Sequence, residues 1–288
     1  MQSLQTFIEV IEKGRNIHIS ILDVSGILSA PDMKIELKNV IHSKPFCDIA
    51  KSTGKGMRAC LLSKRFANER AMKSKASFCG CCIYGLCEAA YPLIIGETVC
   101  AIVYVGHAVT DRKKTEERIV RTCGYTGVDA NMLLSELSDC EQIESESELI
   151  CIAQIVSDYI KMLYQTTPKE TSNGHWLVRA LVRHADEKYT SSPTLKELSV
   201  LYHKNEKYMG RLFLAEVGMS FNKYCLLLRL KKAAGMLEHG DQTVIDIALE
   251  CGFNNISYFN RAFKSHYGTS PTEYRKEAAL SIKRAFLE

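Results

Sequence analysis

Apolar residues recur along this chain at two periods, and the change of period divides it. Beyond residue 175 the spacing is three and four, the mark of helices with one buried side. In residues 243–275, Val244, Ile247, Ala248 and Cys251 form one such stripe, with Asp246 and Glu250 outside it. Gly252 follows where a helix ends in the left-handed conformation and the chain reverses. Asn254 and Asn255 then cap a second helix with Tyr258, Phe259, Ala262 and Phe263 as its buried side. That leaves Ile256, Ser257, Asn260, Arg261 and Lys264 looking outward. A short helix that presents small polar groups and an arginine, braced by another, suits a DNA major groove.

Residues 195–218 repeat this two-helix logic, and 220–240 form a long connecting helix with Phe221, Tyr224, Leu228 and Leu237 inward. Before them, Leu177, Ala180, Leu181 and His184 line one helix, and Pro193–Thr194 start the next.

The N-terminal half mixes periods. Residues 1–13 predict a helix with Phe7, Ile8, Val10 and Ile11 on its apolar side. Ile17–Asp23 alternates as a strand, Gly26 turns, and Ile27–Leu28 begins a return strand. Residues 46–76 read as helix, with Met57, Leu61, Leu62 and Phe66 buried and Lys64, Arg65, Glu69 and Arg70 solvated. Within 78–107, Gly96–Glu97 turns between Tyr91–Ile95 and Val99–Val105, an antiparallel hairpin. Helices follow at 112–123 and 129–137. In 146–165, Leu149, Ile152, Val156, Tyr159 and Leu163 are spaced as the seam of a two-stranded coiled coil or of a helix packed on its own domain. Residues 166–174, without apolar anchors, read as a linker.

The wording of the last stretch sharpens the picture. Ile247, Ala248, Gly252, Phe253, Tyr258, Phe259, Arg261, Phe263, Lys264, Gly268, Pro271 and Tyr274 stand as in the second helix-turn-helix of the AraC/XylS family of transcription activators, which residues 176–278 resemble. The resemblance implies a double helix-turn-helix domain at 175–288, with double-stranded DNA and RNA polymerase as partners. By position it nominates Lys207 and Arg211 in the first recognition helix and Ile256, Ser257, Asn260, Arg261 and Lys264 in the second. Arginine can bridge guanine O6 and N7, asparagine can pair with adenine, and Ile256 can meet a thymine methyl. Lys207 and Lys264 suit phosphate. The first motif departs from the family pattern: Ser199 replaces a small alanine, His203 occupies the turn, Lys204 stands at an apolar position, and Gly210 faces outward.

Charge agrees with this division. Residues 1–165 hold 19 Lys/Arg against 20 Asp/Glu, whereas 166–288 hold 18 against 13. The excess of positive charge lies where phosphate contacts need it. No apolar run reaches the ~20 residues of a membrane span, and the N-terminus lacks the order of a signal peptide. The expected location is the cytoplasm, with no membrane partner.

Ten of the 12 cysteines precede residue 152. In a reducing compartment that leaves metal binding, redox chemistry or packing. The two Cys-x-x-Cys pairs of a zinc knuckle are absent. No cysteine sits beside an evident base, so an enzyme of thiol or alkyl transfer is the weaker alternative. Phe46–Cys47, Cys60, the run 81–86, the run 91–96 and Gly106 resemble the PocR sensory domain, a relative of PAS folds associated with small hydrocarbon derivatives. The resemblance spans roughly residues 5–165. It places Cys47, Cys60 and Cys82 at the domain's cysteine positions, and Gly85, Leu86, Glu88 and Pro92 in its central motif. Ile83 and Tyr84 depart from the polar and small pair usual there.

The chain therefore reads as an α+β sensor at 1–165, a PAS- or GAF-like antiparallel sheet with helices ending in a signalling helix at 146–165, followed by an all-α DNA-binding domain. The expected ligand site is Cys47, Cys60, Cys82, Tyr84, Glu88 and Tyr104. Cys47, Cys60 and Cys82 are also the candidate ligands of a metal ion or cluster, the route to a metal- or redox-sensing regulator. The expected assembly is a homodimeric, non-enzymatic activator that answers to a small-molecule effector.

Overall fold

The computed structural model describes residues 2–166, 175–191, 194–240 and 242–277. They fall into two compact units, Met1–Trp176 with Glu197–Asn205, and Leu177–Lys196 with Glu206–Glu288. All but the first residue of the expected linker, and Pro193, lie outside the described residues.

The first unit is built on a five-stranded sheet. In chain order its elements are α1 (Leu4–Glu12), β1 (His18–Asp23), α2 (Pro45–Ala50), α3 (Gly54–Ser74), β2 (Phe78–Cys81), β3 (Cys87–Ile95), β4 (Thr98–Val109), α4 (Arg112–Thr126), α5 (Ala130–Ser135), β5 (Glu141–Gln142) and α6 (Glu146–Thr166). The strands lie in the order β1-β4-β3-β2, all antiparallel, and β5 joins β4 in parallel. The hairpin expected around Gly96 joins β3 and β4, and Gly96 takes a positive φ of 61°.

Alternation along the strands feeds two cores. Ile19, Ile21, Ala101, Val103, Val105, Ala89 and Leu93 face α1 and α6. Leu22, Ala90, Ile102 and Tyr104 face the side that holds Ala71 of α3. Because both faces are covered, β4 reads as an unbroken apolar run and not as an amphipathic strand.

Four expectations change. Leu149, Ile152, Val156 and Leu163 of α6 are buried in the sheet's own core, with Tyr159 packed against it. The coiled-coil spacing is therefore satisfied inside the domain, because a helix on a sheet needs the same narrow stripe. Ile27–Leu28 is not a return strand but part of a 3₁₀ turn (Ile27–Ser29). The carboxylate of Asp23 accepts the backbone N–H groups of Ser25, Gly26, Ile27 and Leu28, which curls the chain away from the sheet. Residues 46–76 break after Ala50, and α3 buries its small residues Gly56, Ala59 and Ala71 with Asn68, leaving Leu62 and Phe66 exposed. Finally, Val10 of α1 points to solvent, and Leu4 takes the buried place beside Ile8.

The second unit is helical, and includes α7 (Trp176–Lys188, from Leu177), α9 (Glu206–Val217), α10 (Phe221–His239), α11 (Val244–Glu250) and α12 (Ile256–Tyr267), with helix again over 271–277. A further helix, α8 (Leu195–Leu201), precedes α9, separated from it by a turn in which His203 holds a positive φ of 49°. No helix of the described residues is long and apolar enough to cross a membrane.

Candidate functional site

Two sites emerge, one in each unit. In the second, Thr243 caps α11 by accepting Asp246 N–H, and Asn255 caps α12 by accepting Tyr258 N–H. Asn254 makes no such cap. The turn between the helices depends on Gly252, at φ +84°, where a Cβ would lie 2.4 Å from the Thr190 carbonyl oxygen. Ile247, Ala248, Cys251, Phe253, Phe259 and Phe263 close a core against Leu230, Ala233, Ala234 and Leu237 of α10. From α10, Arg229 reaches this turn: its Nη1 donates to the Gly252 carbonyl at 3.0 Å and its Nε to the Tyr189 carbonyl at 2.6 Å. Charge on a connecting helix gave no hint of that brace in the sequence.

The packing presents Ile256, Ser257, Asn260, Arg261 and Lys264 on the exposed side of α12. Tyr258, expected among the buried residues, joins them with 47% of its surface exposed. The reason is geometric: Phe259 and Phe263 already fill the buried stripe, and Tyr258 sits one step around the helix. On α9, Lys207 and Arg211 are exposed, while Met209 and Phe213 are buried. Gly210 is half-buried, and a Cβ there would make an ordinary contact with the Leu195 side chain at 3.4 Å. Neither Arg211 nor Arg261 is in an ion pair among the described residues, which leaves both guanidinium groups available for an anionic or base partner.

In the first unit, a cavity of about 290 Å³ opens among α2, α3 and the β2–β3 end. All six residues expected at the ligand site, Cys47, Cys60, Cys82, Tyr84, Glu88 and Tyr104, line it. One wall is charged. Glu88 Oε1 and Oε2 accept from Lys64 Nζ at 3.0 and 3.2 Å. His42 Nε2 lies 2.5 Å from Glu88 Oε1. Lys64 Nζ stands 3.1 Å above the centre of the Tyr104 ring, and the Tyr104 hydroxyl donates to Asn68 Oδ1 at 2.5 Å.

Lys64, read as solvated in the sequence, is thus turned into the cavity; His42 was not anticipated. A lysine at helical surface spacing carries no signal of a carboxylate on a strand 24 residues away. The β3–β4 register shifts between Cys87 and Ala89, and this brings Glu88 over Gly106. A Cβ on Gly106 would lie 3.0 Å from the Glu88 side chain, so that glycine makes the room.

Burial alone would raise Glu88, but His42 and Lys64 more than offset it and hold the carboxyl at about 2. Burial lowers Lys64 by more than Glu88 restores, and it lowers His42 likewise. The carboxylate is thus firmly charged, whereas the lysine is held at a cost. The Tyr84 hydroxyl is occupied by the Ala50 carbonyl at 3.1 Å and Thr126 Oγ1 at 3.2 Å, so this residue shapes the wall by its ring.

Cys47, Cys60 and Cys82 share the cavity. Burial pushes all three thiols up, Cys82 to about 11, so they stand protonated at neutral pH. Among the described residues no group of three His, Cys, Asp or Glu is placed to hold a metal ion.

Comparison with known proteins agrees with both units. Residues 1–167 match the model of the sensory domain found in PocR, and residues 198–277 match that of a helix-turn-helix domain. The regulatory protein PocR of Salmonella typhimurium is 23% identical over 263 residues, 84% of this chain and 85% of its own length. The HTH-type transcriptional regulator YijO of Escherichia coli is 27% identical over 51% of this chain, which spans about half (52%) of that relative. Among solved structures, the C-terminal domain of AraT, a response regulator from Geobacillus stearothermophilus, is 28% identical over 37% of this chain and 88% of that one, with a TM-score of 0.36. The DNA-binding domain of AdpA in complex with a target DNA is 24% identical over 38% of this chain and 96% of that one, with a TM-score of 0.34.

Proposed function

The chain belongs to the family of transcription regulators defined by the sensory domain found in PocR, joined to a helix-turn-helix DNA-binding domain, and from that premise we propose that it is an effector-gated activator. The effector is a small, neutral organic molecule bearing hydroxyl or carbonyl oxygen. One observation carries this: the six residues expected at the ligand site line a single cavity, mostly apolar, with one charged wall. Its volume of about 290 Å³ limits the ligand to a small molecule. Lys64 Nζ and His42 can donate to a ligand oxygen, and Glu88 can accept from a hydroxyl. An anionic ligand would meet the Glu88 carboxylate, which disfavours it.

The DNA-binding unit acts by reading bases with α12 and α9 and by contacting phosphate through Lys207 and Lys264. As a dimer, two such chains bind a repeated operator. An effector that binds one arrangement of the sensor better than another shifts the pair toward the DNA-competent state and toward recruitment of RNA polymerase. The regulator has no catalytic role in this reading.

Ala67 lines the cavity, and Ala67→Leu narrows it while His42, Lys64 and Glu88 are all retained. A panel of short-chain alcohols, diols and ketones is screened by thermal shift on the full chain, and operator binding is then titrated with the hit. The expected result is a Tm rise in the parent protein that Ala67→Leu abolishes, with effector-free DNA binding retained. If Ala67→Leu answers to the hit as the parent does, the effector does not occupy this cavity and the reading fails.

A further inference from the structure

The end of the β2–β3 pair holds two sulfurs that the effector reading does not use. Cys81 and Cys87 face each other in register across antiparallel strands. Their Sγ atoms are 3.1 Å apart, and no other two cysteines make such a contact among the described residues. The connecting loop is already closed by backbone bonds from Cys82 N to the Leu86 carbonyl (2.8 Å) and from Gly85 N to the Cys82 carbonyl (3.0 Å). Facing residues of an antiparallel pair have Cα atoms ~4.5–5.5 Å apart, within the range a disulfide spans.

Their exposures differ in a way that suits stepwise oxidation. Cys81 is exposed, Cys87 is buried, and both line the cavity. The hydrogen bond between the sulfurs draws Cys87 down to about 6 and lifts Cys81, and Thr110 Oγ1, 3.5 Å from Cys87 Sγ, adds to the effect. The shared contact thus favours ionisation at Cys87 and disfavours it at Cys81. Cys47, Cys60 and Cys82, raised by burial, lack that activation.

We propose that Cys81 and Cys87 form a reversible redox site in which a hydroperoxide converts the facing thiols to an intramolecular disulfide. The Cys87 thiolate attacks the terminal peroxide oxygen and the O–O bond breaks. Cys87 becomes a sulfenic acid, and the departing alkoxide or hydroxide takes up a proton. The Cys81 sulfur then attacks the Cys87 sulfur, an S–S bond forms, and the hydroxyl leaves as water with the Cys81 proton. In sum, two thiols and one hydroperoxide give one disulfide, one alcohol (or water) and one water. Two electrons pass from sulfur to oxygen. A thiol reductant reverses the change. Because Glu88 follows Cys87 directly, the bond also tethers the strand that carries the charged wall.

The test uses the full chain, reduced and then treated with one equivalent of hydrogen peroxide or tert-butyl hydroperoxide. Remaining thiols are alkylated, and the protein is cleaved after Tyr84, between the two cysteines. Of the 12 thiols, two are expected to be lost to alkylation, with the fragments on either side of Tyr84 linked, and dithiothreitol should restore both. Cys81→Ser, a conservative change at an exposed position, should abolish the link, as should Cys87→Ser. Cys100→Ser, also downstream of Tyr84, should retain it. Loss of two thiols to the peroxide from the 10 that remain in the Cys81→Ser, Cys87→Ser double variant would overturn the proposal. So would oxidation confined to Cys79 or Cys151 while Cys81 and Cys87 alkylate in full.

Discussion

Glu88 shows how much a single side chain can organise. Its carboxylate sits at about 2, below the ordinary value near 4.5, because His42 and Lys64 outweigh the cost of burial. A carboxyl depressed in the folded state stabilises the fold at pH above its unfolded value, and that contribution fades as pH falls toward 2. Glu88→Gln removes this dependence and leaves the Lys64 ammonium without its partner over the Tyr104 ring. Breaking a buried pair from one side costs ~3–5 kcal/mol, and partial solvent access at 15% and 23% of the two side chains points to the lower end. Acid titration of unfolding should therefore show a lower plateau at neutral pH for Glu88→Gln and a shallower loss between about pH 4.5 and 2. A variant as stable as the parent at pH 7 would mean that water already satisfies Lys64.

At the scale of one element, α6 illustrates an ambiguity that spacing cannot resolve. Val156 has no exposed surface and belongs to the sheet core, whereas Ile155, one residue earlier, is 55% exposed. Val156→Glu puts an unpaired charge among Val103, Val105 and Ile160, and the expected outcome is a sensor that no longer unfolds cooperatively. Ile155→Glu should shift stability by no more than ~0.5 kcal/mol, as exposed substitutions usually do. Thermal unfolding and sedimentation velocity on both variants separate the two roles. Selective dissociation of a dimer by Val156→Glu, with the Tm unchanged, would restore the coiled-coil seam. The helical spacing of the sequence foretold the stripe on α6 correctly; what it lacked was the sheet that the stripe meets.

Across the whole molecule, charge and function separate along the chain. The positive excess after residue 165 and the exposed row on α12 mean that operator affinity should fall steeply as salt rises. Arg261→Ala is expected to cost about 1–3 kcal/mol on the operator and to relax preference at one base pair, whereas Lys264→Ala should weaken operator and random DNA alike and flatten the salt slope. Binding isotherms at several salt concentrations on both DNAs check this. Equal losses for Arg261→Ala on the two DNAs would make it a phosphate contact.

The second helix-turn-helix was legible in the sequence because its determinants are local. The caps Thr243 and Asn255, the turn at Gly252 and the stripe through Phe259 and Phe263 act within a few residues of one another. The sheet and its hairpin at Gly96 were legible for the same reason. The sequence nominated six cavity residues, but only the tertiary structure joined them to Lys64 and His42. Such pairing depends on a register shift in β3–β4 and on the missing side chain of Gly106, neither of which leaves a periodic trace. The direction of Tyr258 and the Arg229 brace were likewise settled by packing. Burial is a property of what lies opposite a residue. Spacing along the chain says which residues share a face, and the fold alone decides what that face meets.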